Sequence, residues 1–257
     1  MTTMTVAATY ATRTADPVVL DQVTKRYGRG RGSVTALDRV SLSLQAGSFT
    51  AVLGVSGSGK STLLQCAAGL ERPSSGSVRF DGTDLASLSQ RRQAVLRRRR
   101  IGFVFQELNL VPELSVAENI ALPLRLDHRP VAAADIRQAA YQVGLSASQL
   151  GRLPAGLSGG QQQRAAIARA LITRPEVVFA DEPTGALDPH TGDGVLRLLR
   201  EAGLGATVVI VTHNPDVTAF CDQAVFLHAG RVDRMLQAPE PATVARVLHE
   251  LGERGDR

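Results

Sequence analysis

Short runs of apolar, often β-branched residues recur along this chain, and one long interval of helical spacing interrupts them. Val18–Tyr27 alternates apolar and polar positions, which predicts a half-buried strand. Val34–Leu44, closed by Ala46-Gly47, predicts a second strand or a pair of turns in the same antiparallel sheet. The Gly/Arg stretch 28–32 between them reads as a connecting loop in preference to an RGG-like nucleic-acid element. Residues 48–53 form a compact apolar run ending at Gly54, and residues 61–69 have helical composition closed by a glycine. A turn at Pro73-Ser74-Ser75-Gly76, a short strand over 76–82, a basic helix over Gln90–Arg100 and a buried strand over 101–105 follow, ending at Gln106.

The pattern then changes. From Glu107 to about Arg174 it is mainly helical: residues 116–120 up to Pro123, then 132–144, then the run after Gly160. Continuous apolar runs resume at 176–180 and 206–212, as expected of parallel strands covered on both faces, with a helix over 192–202 as the crossover. Runs at 224–227 and 231–235, joined through Ala229-Gly230, predict a closing hairpin, with a short helix and a polar end after it. The resulting plan is α/β. Residues 17–240 form one domain with a helical lobe over 107–174 inserted in it, flanked by tails over 1–16 and 241–257.

Composition narrows the function classes. A chain of 257 residues with 44% hydrophobic content can bury a substantial core, and its apolar runs are too short to cross a bilayer. The first residues lack a basic, then apolar, signal pattern. Cys66 and Cys221 give neither a disulfide framework nor metal spacing and fit a reducing cytoplasm. The net charge of +5 would suit nucleic acid, yet only Lys25 and Lys60 are lysine. So strong an arginine bias reads as background composition. The cluster Arg97-Arg98-Arg99-Arg100 is either a solvated helix end or a phosphate-contacting patch.

Gly54-Val55-Ser56-Gly57-Ser58-Gly59-Lys60-Ser61-Thr62 fits the P-loop pattern and lies between a strand and a helix, as the pattern requires. Glycines at Gly54, Gly57 and Gly59 let backbone N–H groups turn inward around a phosphate, and the helix start adds unpaired donors. Lys60 suits the β- and γ-phosphates, and the Ser61 hydroxyl suits Mg²⁺. Ser56, Ser58 and Thr62 complete this candidate set. The strand at 176–180 delivers the adjacent carboxylates Asp181 and Glu182 beside the P-loop. The first suits a Mg²⁺ shell, the second a general base for an attacking water. Tyr27 either stacks on an adenine or is an ordinary strand aromatic.

A second anion-facing helix start stands at Leu157-Ser158-Gly159-Gly160-Gln161, with Ser158 as its cap. With this motif and the P-loop together, the chain resembles the nucleotide-binding subunits of ABC transporters, and the resemblance spans about residues 27–213. It implies a P-loop NTPase (RecA-like) core with an antiparallel β subdomain and an inserted α-helical subdomain. It also implies ATP and Mg²⁺ as cofactors. Two subunits would pair head to tail, each ATP lying between one P-loop and Ser158, Gly159, Gly160 and Gln161 of the other copy. Gln106 would sense Mg²⁺ and water, Asp181 would join the Mg²⁺ shell through water, and Glu182 would be the general base. His213 would orient Glu182 and meet the γ-phosphate, Asp188 would hold the dimer interface, and Tyr27 would stack on adenine. Gly185 stands where the family usually has Ser, and Val55 where many members have Pro.

Residues 101–106, Leu110-Val111-Pro112, residues 115–120, Pro123-Leu124 and Glu182-Pro183-Thr184-Gly185 resemble the lipoprotein-release and macrolide-export type. That resemblance implies an integral-membrane permease as partner, a place at the cytoplasmic face of the membrane, and no nucleic acid. The competing class is a non-transport ABC ATPase in a nucleic-acid or cell-division complex. Only about a hundred residues separate the P-loop from the second motif, too few for the long coiled coil of chromosome-type members. The cysteines cannot form the zinc site usual in repair members.

Overall fold

In the computed structural model, residues 15–185, 187–203 and 205–255 are described, and their backbone pairing builds two sheets. Strands β1 (Val18–Tyr27) and β2 (Val34–Leu44) come first, then β3 (Phe49–Leu53) and helix α1 (Lys60–Ala67). Next come β4 (Ser75–Phe80), β5 (Thr83–Asp84), α2 (Gln90–Arg100) and β6 (Ile101–Val104). A helical lobe follows: α3 (Val116–Leu126), α4 (Ala133–Gln142), α5 (Ala147–Leu150) and α6 (Gly159–Leu171). The chain closes with β7 (Val177–Asp181), α7 (Pro189–Ala202), β8 (Thr207–Val211), β9 (Gln223–His228), β10 (Arg231–Gln237) and α8 (Pro241–Gly255).

The antiparallel sheet has the order β2-β1-β4-β5, and the larger sheet has the order β10-β9-β3-β8-β7-β6. In the larger sheet only β10 runs antiparallel to its neighbour. Both faces of its central strands are covered, and successive residues face different cores. Phe49, Ala51, Leu53, Val178, Ala180, Val208 and Ile210 join one cluster with the helical lobe, α7 and α8. Val52, Val177, Phe179, Val209 and Val211 join the other, with α1 and the antiparallel sheet. This is why these segments read as unbroken apolar runs. Phe179 is fully buried; its truncation to Ala would cost about 3–5 kcal/mol.

Three elements differ from the sequence expectation. Helix α3 runs through Pro123 to Leu126 instead of stopping there. Its start is fixed by a capping box between Ser115 and Glu118, and its buried face, including Ile120, Ala121 and Leu124, holds the last turn in place. Helix α7 begins at Pro189, not at 192, because Asp188 caps it through the Thr191 N–H and proline suits the first turn. Residues 241–255, expected as a short helix with a polar end inside a C-terminal tail, form the longer α8 and bury Val244, Val247 and Leu251 in the core. Of the N-terminal tail, residues 1–14 lie outside the described residues.

The arginine run is structural. Arg97 donates to the Gly69 carbonyl, Arg98 to the Leu126 carbonyl, and Arg99 Nε to both carboxylate oxygens of the buried Asp127 (3.0 and 2.9 Å). Arg100 pairs with Glu176 (2.6 Å) and Asp81 (2.8 Å). Arg98 and Arg99 thereby tie α2 to the C-terminal end of α3, where cations are favoured by the helix dipole.

Candidate functional site

Strand β3 ends at Gly54, and the loop to Gly59 turns the chain into α1. The glycines here are required by space. A Cβ on Gly54 would stand 2.3 Å from the Leu227 carbonyl oxygen, and one on Gly59 would stand 2.3 Å from that of Ala36. Gly59 is also left-handed (φ 101°) and serves as the N-cap of α1 without a side-chain cap, so the first N–H groups of the helix have no side chain competing for them. Lys60 Nζ donates to the carbonyls of Gly54 and Val55, each at 2.9 Å. Burial pulls the Lys60 ammonium below its ordinary range, opposed by the charges of Glu182 and Asp181.

The facing wall comes from the C-terminal ends of neighbouring parallel strands. Asp181 closes β7, and the Ser61 hydroxyl donates to its Oδ1 at 3.5 Å. Burial raises the Asp181 carboxyl above its ordinary range, the Ser61 bond lowers it, the Glu182 charge raises it further and Lys60 draws it down. Glu182 has left-handed backbone (φ 45°), which costs on the order of 1–3 kcal/mol for a non-glycine residue. Its N–H is held by the Val211 carbonyl at 2.9 Å. Its carboxylate is fixed twice: Thr212 Oγ1 donates to Oε2 at 3.1 Å, and His213 Nδ1 lies 2.8 Å from Oε1. The Glu182 side chain is 14% exposed and that of His213 72%, so the imidazole can meet a group outside this wall while it orients the acid.

These groups share one open cavity of about 420 Å³. Ser56, Gly57, Gly59, Lys60, Ser61 and Thr62 line one side, and Gln106, Asp181, Glu182 and His213 line the other. Gly54 and Ser58 lie behind the lining; the Ser58 hydroxyl is buried without a hydrogen-bond partner. Tyr27 does not line the cavity. It is exposed at the end of β1, paired across the sheet with Val34, and Lys25 lies 5.0 Å from its ring centre.

Ser158, Gly159, Gly160, Gln161 and Asp188 lie outside the cavity as well. Ser158 caps α6, and Gln161 Oε1 accepts in return from the Ser158 N–H at 3.1 Å, so the Gln161 side chain is spent on the cap. A Cβ on Gly160 would meet Thr191 at 2.9 Å, which sets the start of α6 beside that of α7. Further along α6, the buried Arg169 donates to the carbonyls of Asn109 (2.5 Å) and Leu108 (2.6 Å), tying this helix to the loop after Gln106. The sequence assigned no site role to Thr212, Ala36 or Val211, and it marked Gly185 only as a departure from the family's usual Ser. The one available signal was a hydroxyl residue at the end of a buried strand, next to His213.

A family model described as ABC transporter matches residues 37–185. Over 212 residues the chain is 45% identical to the lipoprotein-releasing system ATP-binding protein LolD of Bordetella pertussis, covering 81% of this chain and 91% of that protein. Over 220 residues it is 46% identical to the methionine import ATP-binding protein MetN of Caulobacter vibrioides, covering 84% of this chain and 65% of that protein. Among solved structures, the dimeric post-hydrolysis state of the ATP-binding cassette MJ0796 bound to ADP and Pi superposes with a TM-score of 0.79. The two are 37% identical, with 87% of this chain and 99% of that chain covered.

Proposed function

The chain belongs to the ABC transporter family as an ATP-binding, ATP-hydrolysing subunit that drives a membrane permease, and we propose the following division of labour among its residues. The P-loop N–H groups and Lys60 hold the phosphates of ATP, with Thr62 at the start of α1 beside them. Ser61 and Asp181 are hard oxygen donors 3.5 Å apart at the cavity wall, a set that suits Mg²⁺, with Gln106 in the same lining. The ion would supply charge neutralisation at the β- and γ-phosphates. Glu182 takes the proton of the water that attacks the γ-phosphorus, and Thr212 and His213 hold its carboxylate in position. The observation that carries this reading is the doubly anchored Glu182 carboxylate across one cavity from Lys60. Tyr27, at the rim of the antiparallel sheet, stacks on the adenine.

The second half of each site comes from a second copy. Ser158, Gly159 and Gly160 lie on the helical lobe, outside the cavity formed by the same chain's P-loop. Two copies set head to tail would bring each of these helix starts to the other copy's ATP. Asp188 would lie at that interface, and Gln161 would act through the cap it makes with Ser158. The cassette MJ0796 is described in a dimeric state, which supports this arrangement. Identity alone does not separate lipoprotein release from import, at 45% and 46%. The release or export type rests on the motifs between residues 101 and 124 and on Glu182-Pro183-Thr184-Gly185. Among the described residues no helix is long and apolar enough to cross a membrane. In this reading a separate permease carries out the membrane step, with this subunit docked at its cytoplasmic face. Glu182→Gln tests the chemistry: Mg·ATP binding should survive while turnover falls by roughly 10²-fold or more. Wild-type turnover in that variant would remove Glu182 from the reaction.

A further inference from the structure

The P-loop is gripped from behind by the turn of the β9–β10 hairpin, far away in sequence. At the start of the loop, Gly54 lies so close to the Leu227 carbonyl that it has no room for a side chain. At the end, the Gly230 N–H donates to the Ser58 carbonyl at 3.1 Å. The Gly230 carbonyl in turn accepts from the Asp38 N–H on β2 at 2.8 Å. Ala36, also on β2 and lining the ATP cavity, has its carbonyl wedged between two glycines: a Cβ would meet the oxygen at 2.3 Å from Gly59 and at 2.8 Å from Gly230. The turn residues Ala229 (φ 47°) and Gly230 (φ 74°) are both left-handed, as a two-residue hairpin turn demands.

An ion pair locks this junction on its outer side. Arg231 Nε and Nη2 both donate to Asp38 Oδ2, at 2.9 and 2.5 Å, fixing the first residue after the turn to the strand that carries Ala36. Arg231 also holds the Asp38 carboxyl below its ordinary range.

We propose that the hairpin turn is a positioning clamp for the P-loop, in which Gly230 and the Asp38–Arg231 pair set nucleotide affinity from outside the site. The inference rests on the ATP site proposed above. The clamp meets the wall that holds the phosphates; Glu182 and His213 belong to the opposite wall. Phosphates are gripped by loop N–H groups in the ground state and the transition state alike, so a displaced loop weakens both complexes together. KM then rises while kcat stays.

The test is steady-state ATPase together with titration of Mg·ADP into the full chain and its variants. For Gly230→Ala, both the left-handed backbone and the Ala36 contact force a shift, and Kd and KM should rise about tenfold with kcat within about twofold. Arg231→Gln, whose side chain is 60% exposed, should fold normally and raise both constants by roughly two- to fivefold. The reversed pair Asp38→Arg/Arg231→Asp should recover most of that loss. Variants that bind Mg·ADP as wild type does, or that lose kcat and thermal stability at constant KM, would reduce the hairpin to a support of the fold and overturn the clamp alone. Wild-type chain that does not bind Mg·ADP would overturn the ATP-site reading and the clamp with it.

Discussion

Thr212→Val isolates the anchoring of Glu182 from its chemistry. The substitution keeps volume and β-branching at a fully buried position, so packing is conserved. It removes two hydrogen bonds, one to Glu182 Oε2 and one from the Asn214 N–H, each 3.1 Å. Asn214 is exposed and its N–H can turn to water, so losing that bond should cost no more than about 1 kcal/mol of stability. Among the described residues, the Glu182 carboxylate then keeps its His213 contact at 2.8 Å. A hydrogen bond to a charged group is worth about 1.5–3 kcal/mol, and spending it all on orienting the base sets the expected loss of kcat at roughly 10- to 100-fold. KM for ATP should barely move, since the P-loop is untouched. Steady-state ATPase, Mg·ADP titration and urea unfolding on Thr212→Val and Thr212→Ser give the answer. Serine keeps the hydroxyl and should retain most of the activity. A raised KM with wild-type kcat, or equal losses in both variants, would refute the anchoring argument.

Lys60→Ala should lose nucleotide binding and turnover together, because the other lysine, Lys25, is bound to Glu71 at 2.5 Å; calorimetry with Mg·ADP reads this directly. Asp181→Asn should raise the thermal stability of the nucleotide-free protein while abolishing Mg²⁺-dependent turnover. Burial raises the Asp181 pKa on folding, so its charge opposes folding at neutral pH, and the gain from Asn should vanish as pH falls below the ordinary aspartate range. Glu113→Lys should cut permease-stimulated ATPase more than basal ATPase in reconstituted membranes, if the segment after Gln106 docks the permease. Glu118 is unsuitable for that probe, because its carboxylate completes the cap of α3.

Local chemistry made much of this molecule legible. The strands of the parallel sheet are buried on both faces and so announce themselves as apolar runs, and the P-loop and the Ser158–Gln161 cap are patterns within a few residues. Pro123 misled because tertiary packing and a strong N-cap outweigh one missing N–H. The helix of residues 241–255 carries Val244, Val247 and Leu251 at helical spacing, but polar neighbours and its terminal place disguised the buried stripe. Long-range partners were invisible. Arg99 meets Asp127 and Arg100 meets Glu176 only after folding, so a run of four arginines could be read as charge but not as ties. The same holds for Thr212 and for the hairpin behind the P-loop, whose roles exist only where distant segments meet.

In the proposed dimer each ATP is enclosed by two copies of this chain, the P-loop of one facing Ser158, Gly159 and Gly160 of the other. Sedimentation of Glu182→Gln with Mg·ATP tests it most directly, since slowed hydrolysis should trap the closed pair. The account predicts a species of twice the monomer mass with Mg·ATP, a monomer with Mg·ADP, and no dimer when Ser158→Arg is added. Glu182→Gln that binds Mg·ATP and remains a monomer at high protein concentration would contradict it.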